Sequence, residues 1–491
     1  MSSRRSLWMA LASLAFLVSV AATWWRENHQ PWQNWQARAY QLQAAQLAAQ
    51  IAEELDPGTR ASLEGKRAEL LKAQPHIITL IPQQTNEPEL CLTCHTGIED
   101  ISSSHPADAI GCVMCHAGDP LSLDADRAHA GMYGGRNPGD LSVAQQACGQ
   151  PQCHAGFSDP TRNHIERVTR SLQATYASAI AKVRFAFDAQ PDDRALFGIL
   201  AVSDPSPILP PNALRSLARF NSATEASPGV QKFASDCLTC HLSAPIAPSS
   251  TFYTPRFYRS TGCSACHYLY ADEGLYRGLD ATVPRDQPGH GTTHRLTAQI
   301  PYSQCNHCHN RGNYSLKQMT FLERDDLDAT QWAGLSLPDR RLHDYYQPIA
   351  QFVSCEWILD CVDCHTSAEA MGDGHIYGTK KDAAYHQCKT CHGTLTEPPA
   401  TAVITDAEEL AMRVARLNDI PLQVGDRVLV TDRGEKLGHI PWPVTSSVPI
   451  LTMQVTHQVY TVPLVIGTQC PQKPDEQASH FCHECHAVKR P

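Results

Sequence analysis

Eighteen of the chain's 20 cysteines fall into nine pairs, and a histidine follows each pair at once. The first three motifs are Cys91-Leu-Thr-Cys94-His95, Cys112-Val-Met-Cys115-His116 and Cys148-Gly-Gln-Pro-Gln-Cys153-His154. Then come Cys237/Cys240/His241, Cys263/Cys266/His267 and Cys305/Cys308/His309. The last three are Cys361/Cys364/His365, Cys388/Cys391/His392 and Cys482/Cys485/His486. A lone C-x-x-C pair fits a zinc knuckle or a redox dithiol equally well. Neither requires a histidine directly after every pair. Attachment of haem c does: both thiols bond to the vinyl groups of the porphyrin, and the adjacent histidine reaches under the ring to the iron. Two intervening residues set the sulfurs along one edge of the ring. The third motif has four, but its His154 and its place among the others give it the same reading. The sequence predicts nine covalent haems c on these eighteen cysteines, with the nine following histidines as iron ligands.

That density, about one haem for every 55 residues, changes the folding argument. A domain short of apolar side chains needs staples; here porphyrins supply the bulk and thioethers the cross-links. The expected fold is mainly α, with short helices and extensive irregular loops wrapped around covalent haems.

Of 24 histidines, nine are proximal ligands, which leaves fifteen for the far face of each iron. Only eight methionines exist, and Met1 and Met9 lie at the N-terminus. Histidine is therefore the expected second ligand at most or all haems, and bis-histidine ligation gives lower potentials than histidine/methionine. By position the candidates are His105, His129, His164, His290, His294, His343 and His480. His76, His375, His386, His439 and His457 are weaker candidates. His307 and His483 lie inside attachment loops, and His29 abuts the N-terminal apolar run. Cys355 and Cys470 belong to no motif; a disulfide, free thiols or axial ligation stay open for them.

Arg4 and Arg5 precede an apolar run from Leu7 to Trp25, closed by Arg26. This exceeds the apolar centre of a cleavable signal and approaches the roughly 20 residues of a membrane-spanning helix. Trp24 and Trp25 suit an interface, and the arginines favour a cytoplasmic N-terminus. The expectation is a single-pass signal-anchor in the cytoplasmic membrane, with the haem-bearing part periplasmic or extracellular. Cleavage near Val20-Ala21-Ala22 is the rival.

Along the chain, 1–25 reads as signal-anchor and 26–82 as a helical stalk broken at Pro57-Gly58. Residues 83–230 form a three-haem region followed by a helical segment at 162–187. Residues 231–400 form a five-haem region. In 401–491, residues 421–467 alternate as a small antiparallel β-subdomain, and the ninth haem follows. The net charge is −10, from 50 acids and 40 bases, and no basic stripe with interleaved aromatics occurs, which argues against nucleic acid.

The chain from about residue 26 onward resembles large multihaem cytochromes c of respiratory and extracellular electron-transfer systems. The segments that carry this are His105-Pro106 with Gly111-Cys112-Val-Met-Cys115-His116, Arg170-Ser-Leu-Gln-Ala-Thr-Tyr176, and Tyr258-Arg-Ser-Thr-Gly-Cys263-Ser-Ala-Cys266-His267. Others are His294-Arg-Leu-Thr leading to Cys305-Asn-His-Cys308-His309-Asn-Arg-Gly312, Cys361-Val-Asp-Cys364-His365-Thr with Met371-Gly-Asp-Gly374, and Cys388-Lys-Thr-Cys391-His392-Gly393. The resemblance implies electron carriage in a membrane-associated respiratory or photosynthetic chain, with other redox proteins as partners. It names no substrate.

Two functions follow from these motifs. One is an electron carrier, which needs no acid or base catalyst. The other is a multihaem oxidoreductase acting on a small nitrogen or sulfur oxyanion, similar to hydroxylamine oxidoreductase or tetrathionate reductase. That enzyme needs an iron with an open position, whereas every motif here ends in histidine and spare histidines are in surplus. A homo-oligomer or filament built on haem contacts is a third expectation.

Overall fold

The computed structural model describes residues 18–19, 31–54, 56–72, 77–156, 159, 162–236, 238, 242–243, 260–271, 274–305, 329–334, 351–353, 355, 358–473, 476–477 and 479–489. These fall into two compact units. One lies within Met1–Pro138 and Leu275–Arg295, the other within Gly139–Gly274 and Leu296–Pro491.

The first unit opens with the helices Pro31–Glu53 and Pro57–Lys72, which pack on each other. Asp56 caps the second, its carboxylate accepting from the Thr59 N–H at 2.7 Å. Pro57 then takes the first helical position, where its missing N–H costs nothing. The dipeptide Pro57-Gly58 thus starts a helix rather than ending one. After it the chain runs irregularly, with the one-turn helices Ala107–Ile110, Val113–His116 and Ala125–Ala128.

In the second unit the helical segment is interrupted twice. His164–Arg170, Leu172–Thr175 and Ala177–Ala186 are separated by extended Ser171 and left-handed Tyr176 (φ 55°). The last of these packs Ile180 and Val183 against Phe220, Val230, Phe233 and Leu238. Each such burial contributes about 1.5–3 kcal/mol. Further on, Thr401–Val403, Arg427–Val430 and Lys436–Pro441 form an antiparallel sheet with Thr401 opposite Leu429 and Leu429 opposite Leu437. A neighbouring pair joins Ile450–Thr452 to Val459–Thr461. Their inward side chains (Leu429, Leu437, Ile440, Leu451, Met453 and Val462) make one core cluster. The helix Leu410–Leu417 lies over this sheet.

Two sequence expectations are corrected. The fold is not mainly α: helix makes up about 34% and strand about 11%. Each described helix that carries an attachment motif is short, because the motif needs only five residues, and much of the chain is turn. The N-terminal transmembrane helix is not shown either. Residues 1–25 lie, apart from Val18 and Ser19, outside the described residues, and no described helix is long and apolar enough to cross a membrane. The longest, Pro31–Glu53, carries Gln, Arg and Glu along its length, and those groups are too costly to place in hydrocarbon.

Candidate haem centres

Five of the described attachment motifs share one backbone bond. The histidine N–H donates to the first cysteine's carbonyl in His95→Cys91, His116→Cys112 and His267→Cys263, each at 3.0 Å, and in His365→Cys361 at 2.7 Å. This is one helical turn, which sets both sulfurs and the imidazole on a common side. The third motif makes the same bond, His154 N–H to Cys148 O at 3.0 Å, across its longer loop. The two additional residues are absorbed in the turn, and the relation of histidine to first cysteine is kept.

Two glycines make these turns reachable. Gly111 (φ +80°) precedes Cys112, and a Cβ there would collide with the Glu89 carboxylate. That carboxylate is buried and accepts from the Cys112 N–H at 2.7 Å. Gly262 (φ +58°) precedes Cys263, and a Cβ there would collide with the carbonyl of Gly139. Both positions need the left-handed region that glycine reaches freely.

Three proximal imidazoles face a second imidazole. His95 and His129 have ring centroids 5.9 Å apart, His116 and His294 6.1 Å, and His154 and His164 5.3 Å. A metal-bound imidazole nitrogen lies about 2 Å from the metal, and the ring centre roughly 1 Å behind it, so two rings on opposite sides of one iron put their centroids about 6 Å apart. The three pairs have that spacing. His294 reaches His116 within the first unit, and His164 follows His154 closely in the second.

The outer nitrogens are held as ligating histidines require. His95 Nδ1 lies 2.7 Å from Asp280 Oδ2 and 3.0 Å from Thr282 Oγ1. His267 Nδ1 is 2.8 Å from the Thr297 carbonyl, His392 Nδ1 2.7 Å from that of Pro463, and His365 Nδ1 3.0 Å from Glu369 Oε2. Among the candidate second ligands, His294 Nδ1 is 3.0 Å from the Glu99 carbonyl and His105 Nδ1 3.0 Å from Ser102 Oγ. An acceptor at Nδ1 makes it the donor and leaves Nε2 as a lone pair for a metal. The Nδ1 atoms of His116 and His164 are instead buried with no hydrogen-bond partner. Such orphaned outer nitrogens cost about 1–3 kcal/mol, so these two rings lack the partner that holds the others. The residues of these centres suit haem in donor type and in ring spacing.

Charge follows the same arrangement. Burial pushes His116 down to about 4, with the charges of His294, His95 and His129 adding to it. Burial likewise takes His164 to about 4, aided by His154 and Arg167. Both are neutral at pH 7, the form that binds metal. At His95 burial acts downward, but the hydrogen bond and charge of Asp280 outweigh it and raise its pKa. Burial would raise Asp280, yet its bonds to His95 and Thr282 hold it below the usual range.

The ninth motif is the most open of those described. Cys485 and His486, expected as thioether cysteine and iron ligand, are both exposed, and His486 faces no second histidine ring among the described residues. The physical reason is local. The helix Ser479–His486 ends on these residues, and the chain passes directly into the strand Ala487–Lys489, which pairs with Gln351–Val353. The last turn of the motif therefore stands open to solvent, while its first cysteine, Cys482, is half-buried.

The remaining sequence candidates divide. His290 is half-buried and faces no second histidine ring among the described residues. His267 and His392 likewise face none there. Cys237, Cys240, His241, Cys308, His309 and His343 lie outside the described residues, as does the side chain of His480. Cys470 is a free thiol, so no disulfide joins it to Cys355. His439 is buried with Nε2 on the Asp363 carbonyl at 2.9 Å, and exposed His457 meets Gln299.

Four carboxylates carried no sequence signal: Asp280, Glu89, Glu99 and Asp204, whose Oδ2 lies 2.7 Å from Nδ1 of the weaker candidate His375. Asp280 stands 185 residues from His95, and an isolated aspartate has no local pattern to mark it. Comparison with known proteins adds nothing to the assignment: no protein-family model, no curated protein and no solved structure matches the chain.

Proposed function

We propose that this chain is a multihaem c-type cytochrome that carries electrons through nine covalent, mostly bis-histidine haems on the outer side of the cytoplasmic membrane. The observation that carries this reading is the trio of facing imidazole pairs, each including a histidine directly after a cysteine pair. Haem supplies a one-electron ferric/ferrous couple when bound. The chain's own part is positional. The cysteine pairs would hold the porphyrin through thioethers, and His95 with His129, His116 with His294 and His154 with His164 would supply the iron's ligands. Asp280 and the Thr297 and Pro463 carbonyls fix ring orientation and basicity, the means by which a protein tunes such a couple. No proton or covalent bond has to move. Other redox proteins serve as donor and acceptor.

Intact mass and a pyridine haemochrome count on the purified chain test this. Nine haems per chain are expected, with only low-spin ferric iron in the EPR spectrum. A mass equal to the polypeptide alone, without visible absorption, ends the reading. Full haem content with a high-spin, ligand-accessible iron supports the oxidoreductase instead.

A further inference from the structure

Among the described residues, first cysteines of different motifs come together. Cys91 hydrogen-bonds to Cys112, and both sulfurs and the Glu89 carboxylate lie within 4.8 Å of each other. Cys305 hydrogen-bonds to Cys361, and the Tyr302 N–H, one turn ahead of Cys305, donates to Asp360 Oδ1 at 2.6 Å. Cys388 hydrogen-bonds to Cys482, and the Cys388 N–H donates to Ser479 Oγ at 2.9 Å. Cys148 lies close enough to Cys263 for its charge to act there. The Cys263 segment is stitched to the chain leading into the third motif by Cys263 N–H to Gly139 O at 2.9 Å and by Thr261 to Asp140.

Six of the eight first cysteines within the described residues hydrogen-bond to another first cysteine, and the remaining two, Cys148 and Cys263, lie near enough for charge to act between them. A metal ion on Glu89, Cys91 and Cys112 would account for one pair. Among the described residues no other group of three such donors occurs, yet hydrogen-bonded first cysteines recur twice more. In a thioether the cysteine sulfur bonds directly to the porphyrin edge, so two such sulfurs in contact bring two porphyrin edges together.

We propose that the chain holds eight of its haems as four edge-contacting pairs: first with second, third with fifth, sixth with seventh, and eighth with ninth. Each pair meets at the two first cysteines; the fourth motif lies outside the described residues and is assigned to no pair. Cys266 beside Cys305 then links the third–fifth pair to the sixth–seventh pair. This rests on the electron-carrier reading of the motifs and adds the order of haems in space, which the motifs do not contain.

Anomalous scattering at the iron edge, on crystals of the full haem-loaded chain, tests it. Nine irons are expected, with each named partner the nearest neighbour of the other. Nine irons with other nearest neighbours overturn the pairing and leave the electron-carrier reading standing. No iron at the motifs, or zinc on Cys91 and Cys112, overturns both. In solution, circular dichroism of the Soret band reads the same contacts as a bisignate couplet. Removing the second haem (Cys112→Ala, Cys115→Ala, His116→Ala) or the fourth (Cys237→Ala, Cys240→Ala, His241→Ala) should each lower absorbance by about a ninth. The first should take about a quarter of the couplet with it, the second none. Equal couplet losses in both variants sink the pairing. Where either variant fails to fold, the iron positions of the unaltered chain decide.

Discussion

The imidazoles of His116 and His294 stand opposite one another with centroids 6.1 Å apart and planes inclined by 29°. Two rings that share no hydrogen bond and sit near-parallel at that distance leave room for one metal ion between their nitrogens.

Replacing His294 by Ala should therefore open one coordination position and leave the rest intact. In the oxidised protein, EPR should show a new high-spin ferric signal from one haem, lost on adding imidazole. His129→Ala should do the same at the first haem. His457→Ala, an exposed ring against Gln299, should change nothing. An unaltered low-spin spectrum for His294→Ala would remove it from the ligand set.

Asp280→Asn tests the carboxylate behind His95. The charged partner makes the imidazole a stronger electron donor and stabilises ferric iron. With a neutral amide the first haem's reduction potential should rise by tens of millivolts, on the order expected for changes around a ligated histidine. A spectroelectrochemical titration reads this, and an unchanged or lowered potential would contradict the role.

Gly262→Ala is expected to be costly out of proportion to one methyl group. The residue combines φ +58° with a Cβ position occupied by the Gly139 carbonyl. Strain and collision together should lower stability by roughly 2 kcal/mol or more, with reduced loading of the fifth haem. Gly425→Ala also sits at positive φ but has open space around it, so it should pay the conformational cost without the collision. Denaturant midpoints and haem-to-protein ratios for both variants separate the two effects.

His439 makes the β-rich part acid-sensitive. Burial pushes its imidazole down to about 4, with the Asp363 carbonyl opposing and His386 adding to the shift. The unfolded chain binds the proton at about 6.5, more readily than the folded one, so stability increases with pH across this window. The contribution is complete above about 6.5 and lost as pH falls toward about 4. His439→Gln should flatten the stability–pH profile there by up to roughly 3 kcal/mol, measured as denaturant midpoints from pH 7 to 4.

The near side of each centre was legible, because thiols and histidine are consecutive and one helical turn places them. What the motif does not encode is how deeply that turn is covered, and the open Cys485 and His486 show the difference. The sheet around Val430–Lys436 was also visible, in its alternation and its Asp-Arg-Gly turn, though its first strand, Thr401–Val403, lies outside the segment read as β. The far side was legible only as a choice of histidines. Nothing near His294 says that it faces His116 rather than the adjacent motifs, since the pairing depends on where the chain returns. His129 follows the second motif yet faces His95 of the first. Glu89 and Asp280 escaped notice because single carboxylates carry no pattern; their roles exist only once distant segments meet. The apolar run at 7–25 read as a spanning helix from its length and its flanking Trp and Arg residues, and no described helix answers to it.

The return of Leu275–Arg295 to the first unit sets a timetable for making the protein. Everything else in that unit has emerged by Pro138, yet the ring facing His116 and the carboxylate behind His95 arrive only with this late segment. Until that segment is made, His116 would stand without the ring that faces it, and a haem held at Cys112 and Cys115 would lack its second ligand.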